Sequence, residues 1–347
     1  MTTVLSRRWN NQWTSIQKLK FYERVDYFRT AHSHSDRISL DSHIVDWMCT
    51  VVRCNMIAIA LRLEYNGEPI QMPRTVFTCK TLQSLSLHFI GGHITFDAPT
   101  SYCFPSLKSL KVSVTDPVEH ETEKIFSSCP KLVYLRIHSS ASLFSVIAAF
   151  NLKPNLVLDN TKSLLVRASI LFEINDNLVE ERQASLPNLP NMLLLAQISE
   201  VKDLYLTAPL LMDCCLPAFG YLTKLELVLY GCDYWKCPSA VLQKAPNLEY
   251  LFFFRDKTEG DNECLCDLPA VVPICLSSHL KNIFIWGFKG RKCDIKVADY
   301  MLKNSYHLNT FTIIYYNTGA LDKKELHKEL HNKHKLLSTF RYHISVY

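Results

Sequence analysis

The residues best suited to chemistry in this 347-residue chain are three histidines near its end. In LHKELHNKH, His327, His331 and His334 stand at i, i+4 and i+7. That spacing runs roughly along one helix face, and imidazoles on one face can hold a metal ion. A zinc-protease helix needs glutamate directly after the first histidine. Here Glu329 follows His327 by two and turns to another face. Lys323, Lys324, Lys328 and Lys333 crowd the same segment, so a charged, solvated helix is the plainer reading. His32 and His34 sit in a polar turn and complete no ligand set. Neither G-x-S-x-G, nor a P-loop, nor G-x-G-x-x-G occurs. The expectation is a protein with no catalytic residue, no metal and no cofactor.

The 13 cysteines are odd in number and show no C-x-x-C spacing. Cys214–Cys215 are adjacent and Cys264 and Cys266 are one apart, which fits no structural zinc half-site. Cys129 and Cys275 lie beside prolines or apolar residues, as buried reduced thiols do. With 38 Lys and Arg against 33 Asp and Glu, the net charge of +5 is too mild to imply nucleic acid. Lys18-Leu19-Lys20 and Lys323-Lys324 read as solvated helix faces. No apolar run reaches the ~18–20 residues that cross a bilayer, and no apolar signal run opens the chain. A cytoplasmic or nuclear setting, with no membrane partner, follows as the expectation.

The elements that would position any site emerge from a repeat. Four segments share apolar-x-x-apolar-x-apolar: Leu82/Leu85/Leu87, Leu107/Leu110/Val112, Leu132/Leu135/Ile137 and Leu248/Leu251/Phe253. Weaker copies are Ala58/Leu61/Leu63, Val201/Leu204/Leu206, Leu222/Leu225/Leu227, Leu280/Ile283/Ile285 and Leu308/Phe311/Ile313. Leu61, Leu85, Leu110 and Leu135 step by 24, 25 and 25 residues, inside the leucine-rich-repeat period. The last two apolar residues of each copy are two apart, so both point to one face of a short strand. Such a strand cannot bury that face alone, and parallel stacking of neighbours buries a continuous core. Between strands the chain returns by helices or loops. HETEKIFSSCP and PSAVLQKAP read as short return helices stopped at Pro130 and Pro246, and Pro105 holds the same position. One irregular repeat is expected near Leu164–Val166, and residues 174–190 read as a convex helix or loop. The expected fold is an α/β leucine-rich-repeat solenoid, horseshoe-like, with parallel strands inside and convex helices or loops outside.

SEVKDLYLTAPLL and LPAFGYLTKLELVL resemble the middle of plant F-box/leucine-rich-repeat proteins. The segment from Leu268 to Ile313 resembles the FBD module that ends many of them. Its marks are Val272-Pro273-x-Cys275-Leu276, then Leu280-Lys281, then Gly287-Phe288-x-Gly290, a helix over Lys296–Asn304 and a strand from Leu308. At the start, Val4-Leu5-Ser6-Arg7-Arg8-Trp9 with Trp13 is similar to the V-L-S-x-R-W that closes the family's F-box. The helices that would precede it are absent from this sequence. The resemblance therefore implies a largely truncated F-box, whether by real loss or by a mis-assigned start codon. Leu5, Trp9 and Trp13 become the adaptor-contact remnant; at four-residue steps they could equally cap the first repeat.

The resemblance divides the chain into an F-box remnant acting as cap over 1–20, repeats over 21–265 and an FBD-like module over 266–347. It implies the substrate-recognition subunit of a Skp–cullin–F-box ubiquitin ligase. The partners would be a Skp-type adaptor and an unknown target protein. The competing reading is a stand-alone repeat module uncoupled from the ligase. By strand parity, Ser84, Ser86, His88, Ser109, Lys111, Ser113, Tyr134, Arg136 and His138 face the concave side early in the chain. Later, Tyr250, Phe252, Phe254, Phe284 and Trp286 form an aromatic patch there. That patch is either a partner surface or is covered by the chain's own segments.

Overall fold

The computed structural model describes residues 18–24, 45–46, 48–49, 52–53, 55–64, 70–90, 94–95, 104–114, 129–139, 165–172, 195–207, 211, 215–229, 236–255, 268–315, 328 and 341–346. The chain divides into two compact units: Met1–Leu165 with Leu171–Ser185, and Val166–Ile170 with Leu186–Tyr347.

In the first unit, β1 (Lys18–Arg24), β2 (Ala58–Glu64), β4 (Ser84–Ile90), β6 (Ser109–Val114) and β7 (Tyr134–Ser139) stack in that order, all parallel. Two-residue strands β3 (Ile70–Gln71) and β5 (Ile94–Thr95) pair with each other beside them. A single helical turn, α1 (Arg74–Phe77), follows Pro73, whose fixed φ suits the residue just before a helix. The second unit repeats the plan with β8 (Arg167–Phe172), β9 (Asp203–Thr207), β10 (Lys224–Leu229), β11 (Tyr250–Arg255), β12 (Asn282–Phe288), β13 (Thr310–Tyr315) and β14 (Arg341–Val346). Its return helices are α2 (Lys236–Lys244), α3 (Ile274–Ser278) and α4 (Lys292–Asn304). Parallel strands joined by return segments give the leucine-rich-repeat solenoid class in each unit.

One hydrogen-bond device enters each strand. A single carbonyl accepts two successive N–H groups from the next repeat: Ile57 from Gln83 and Ser84, Gln83 from Lys108 and Ser109, and Lys108 from Val133 and Tyr134. The second unit continues it with Lys202, Thr223, Glu249 and Lys281 as acceptors. The device fixes register at each strand start, so the apolar triples align from repeat to repeat. Leu85, Leu110 and Leu135 stand opposite one another, as do Leu204, Leu225, Leu251, Ile283 and Phe311. All of these are buried.

Three sequence expectations are corrected. The residue in line with Leu85 is Ile59, not Leu61, which pairs with Leu87. The first full triple is thus Met56/Ile59/Leu61, each at most 2% exposed; the stretch IAIALRL offers two apolar parities, and only the neighbouring strand selects one. The irregular repeat places its strand at Arg167–Phe172, past Leu164–Val166, with Ala168 and Ile170 opposite Leu204 and Leu206. Alanine in an anchor position hid it. Lys18-Leu19-Lys20 is no helix face but the start of β1, in parallel register with Ala58-Ile59-Ala60. A lysine–apolar alternation suits a strand with one buried face as well as a helix turn. The return helix over PSAVLQKAP is α2, ending before Pro246 as expected.

Candidate functional site

The five aromatics singled out by parity come together on the sheet face opposite the core. On β11, Leu251 and Phe253 point inward and are fully buried, leaving Tyr250, Phe252 and Phe254 on the other face. The parallel register sets Phe252 beside Phe284 and Phe254 beside Trp286. The rings form a continuous ladder: Phe252 to Phe284 at 5.8 Å between centroids, Phe254 to Phe284 at 6.3 Å, and Phe284 to Trp286 stacked at 6.5 Å. Aromatic pairs at these separations add to their area burial. Tyr250 is 39% exposed and the other four are half-buried.

Sequence parity missed a member. Tyr205 on β9 reaches over the intervening β10, and its ring lies 6.0 Å from Phe254. The signal for it is in the sequence, because SEVKDLYL carries the same parity as the later repeats. Lys224 adds a cation at the edge. Its Nζ stands 5.0 Å from the Phe252 ring centre and 2.5 Å from Glu226 Oε1. Toward β8 and β9 the face closes, with Ser169 and Thr207 buried.

The nine earlier positions also lie off the core. Lys111 and Arg136 are exposed, and Ser84, Ser86, His88, Ser109, Ser113, Tyr134 and His138 are half-buried. Ser113 Oγ and His138 Nδ1 are hydrogen-bonded at 3.2 Å. Leu5, Trp9 and Trp13 lie outside the described residues, as do His32, His34, His327, His331 and His334. Among the described residues no group of His, Cys, Asp and Glu could hold a metal. No helix among them is long and apolar enough to cross a membrane.

The segment after β11 is built around a buried ion pair that the sequence did not disclose. Gly287, at φ 79°, breaks the β12 register between Trp286 and Phe288, and Gly290, at φ 72°, turns the chain into α4. Both conformations disfavour a side chain. Phe288 between them is buried. The helix begins at Lys292, four residues before the expected Lys296, because Asp294 anchors its first turn. The Asp294 carboxylate accepts the backbone N–H groups of Lys289 and Arg291, each at 3.2 Å. Arg255 Nη1 lies 3.2 Å from both carboxylate oxygens. Beside this pair is a cavity of about 10 Å3, lined by Phe253, Ile285, Trp286 and Gly287 among others, which is room for one water rather than a ligand.

The Val272-Pro273-x-Cys275-Leu276 pattern has a physical reading as well. Pro273 precedes α3, Cys275 and Leu276 are fully buried, and the Cys275 thiol donates to the Leu242 carbonyl at 3.4 Å. Burial pushes that thiol up to about 12. Burial also raises Tyr300, with a smaller contribution from Cys275. From its ordinary value of 9.0 upward the unfolded thiol ionises while the folded one stays protonated until about 12, so stability falls across that window as pH rises. Urea midpoints at about pH 8 and about pH 10.5 are expected to fall further apart in the wild-type chain than in Cys275→Ala. An equal fall in both would remove the thiol from the account.

Residues 268–313 match the FBD family model, and residues 45–154 match the model for the LRR repeats of FBD-associated F-box protein At5g56370. The chain is similar to three proteins of Arabidopsis thaliana. One is the putative F-box/FBD/LRR-repeat protein At4g13965, 25% identical over 97% of this chain and 90% of the relative. Another is the putative F-box/FBD/LRR-repeat protein At3g49480, 28% identical over 80% of this chain and 68% of the relative. The third is the F-box/FBD/LRR-repeat protein At4g26340, 25% identical over 95% of this chain and 90% of the relative.

Over most of its length the chain resembles F-box/FBD/LRR-repeat proteins, and it carries an FBD segment.

No solved structure matches it. Within the FBD match, the two glycines, Phe288 and Asp294 make the bend from β12 into α4, and Cys275 and Leu276 seal α3 onto the core. The aromatic ladder spans the boundary of that match. Phe284 and Trp286 lie inside it, while Tyr205, Tyr250, Phe252 and Phe254 come from repeats before it.

Proposed function

We propose that this chain is the substrate-recognition subunit of a Skp–cullin–F-box ubiquitin ligase, acting in the cytoplasm or nucleus. It carries no catalytic group of its own. It holds a target protein on the repeat face and raises that target's effective concentration at the ligase. The observation that carries the reading is the aromatic ladder, in a chain that resembles F-box/FBD/LRR-repeat proteins over most of its length. Tyr205, Phe252, Phe254, Phe284 and Trp286 line up in register over β9, β11 and β12 on the face away from the core. Large, rigid aromatic side chains supply binding energy at low entropic cost. In this reading residues 1–20 supply the adaptor contact through Leu5, Trp9 and Trp13, residues 21–265 are the repeats and residues 266–347 the FBD module.

The test is a pull-down of the purified 347-residue chain with a Skp-type adaptor, beside a version with a complete F-box grafted before Val4. Binding by both is the expected result for a ligase subunit. Binding by the grafted version alone means the chain as given is a stand-alone repeat module. The target side is read separately, as proteins captured by the wild-type chain and lost with Phe252→Glu at unchanged melting temperature.

A further inference from the structure

The aromatic ladder has one polar edge and one apolar edge. At the starts of β11, β12 and β13 the register aligns Tyr250, Asn282 and Thr310 in a single row. Phe252 and Phe284 stand in the next row, and Phe254, Trp286 and Ile314 in the row at the strand ends. Tyr250 is exposed and the others are half-buried, all on the face away from the core. A segment lying across these strands therefore meets hydrogen-bonding groups along one flank and hydrocarbon along the other.

The polar edge donates. Asn282 Nδ2 donates to Thr310 Oγ1, which leaves the Thr310 hydroxyl hydrogen for an outside acceptor. The phenol O–H of Tyr250 can donate in the same way. Tyr250 and Thr310 share one row with Asn282 between them, so their backbones stand two strand intervals apart, about 9.6 Å. Beside that row the Phe252 and Phe284 rings are inclined by 43° at 5.8 Å between centroids. Rings so inclined do not lie flush, and the notch between them suits a small, rigid ring. Stacked rings also hold nucleic-acid bases, but that use needs cations for the phosphates. At this face Lys224 is 2.5 Å from Glu226 and is neutralised there.

We infer that this face binds a proline-rich segment in the polyproline II conformation, lying across β11, β12 and β13. The inference rests on the reading of the ladder as the target-holding surface and adds the class of segment held. Polyproline II has three residues per turn and advances about 3.1 Å per residue, so carbonyls at i and i+3 recur on one side at about 9.3 Å. That repeat matches the interval from Tyr250 to Thr310. Proline supplies carbonyl acceptors and carries no N–H in need of a partner. Proline-rich segments dock in aromatic-lined grooves, where their preformed helix costs little entropy. Other periods fit less well. A β-strand turns residue i+3 to the opposite side, and two turns of α-helix advance about 10.8 Å.

The experiment uses the full chain and fluorescent peptides of about twelve residues, or four polyproline turns, read by anisotropy. One repeats Pro-Pro-Ser, one has alanine in place of every proline, and one is an amphipathic helix with leucine along one face. The proline peptide is expected to bind and the alanine peptide to fail. Phe252→Ala is expected to weaken binding about tenfold or more, as loss of an aromatic anchor does. Tyr250→Phe keeps the ring and removes only the donor, so a loss of about three- to tenfold is expected. Equal binding of the proline and alanine peptides, or binding indifferent to both variants, overturns the inference. Binding of the leucine helix instead, lost with Phe252→Ala, overturns it while leaving the ladder a partner surface. If no peptide binds, the inference fails alone where Phe252→Glu still abolishes target capture, and fails together with the wider reading where capture survives. Tighter binding of single-stranded RNA than of the proline peptide overturns it too, by assigning the rings to bases.

Discussion

Asp294→Asn is expected to destabilise the second unit by about 3–5 kcal/mol, the range for breaking one side of a buried ion pair. The side chains of Arg255 and Asp294 are 8% and 3% exposed, so removal of the carboxylate charge leaves a guanidinium with little water to turn to. Asparagine keeps one oxygen for the Lys289 and Arg291 backbone N–H groups, so the loss isolates charge rather than shape. The ion pair bridges the end of β11 to the first turn of α4, and the Gly287 bulge lies alongside. Urea midpoints of the wild-type chain, Asp294→Asn, Arg255→Met and the double variant complete a cycle. The double variant is expected to be less destabilised than the sum of the singles, because the uncompensated charge is then gone. Strict additivity would show that the two groups do not interact and that Asp294 acts only as a helix-start acceptor.

The second large effect contrasts two neighbours. Phe253→Ala is expected to cost about 3–5 kcal/mol, and Phe252→Ala no more than about 1.5 kcal/mol. Phe253 is 1% exposed and sits in the stacked core between Leu227 and Ile285. Its truncation loses transfer free energy and leaves a cavity in a close-packed interior. Phe252 loses its contacts with Phe284 and with Lys224, and its face is open enough to relax. Thermal denaturation read by circular dichroism ranks the two. A Phe252→Ala loss as large as that of Phe253→Ala would mean that the ladder is a second core rather than a partner surface. The functional readout runs in the opposite order, since target capture is expected to fall with Phe252→Ala and to survive with Phe253→Ala below its melting temperature.

What the sequence determined by itself is what repeats. A strand with period two, copied at intervals near 25 residues, must turn the same side of every copy inward. That single constraint makes Leu82/Leu85/Leu87, Leu248/Leu251/Phe253 and the intervening face residues legible in the sequence. The tertiary structure decided what repetition does not specify. In IAIALRL both parities are apolar enough, and only the hydrogen bonds of Gln83 and Ser84 to the Ile57 carbonyl put Ile59 in line with Leu85. Ala168 stands where other repeats have leucine, and only its register with Leu204 reveals it as an anchor. Arg255 and Asp294 are 39 residues apart and meet because a return helix brings the second beneath the strand of the first. Periodicity fixes which way a side chain points. Which residue it meets is set by hydrogen-bonded register between repeats, a through-space property that no local pattern encodes.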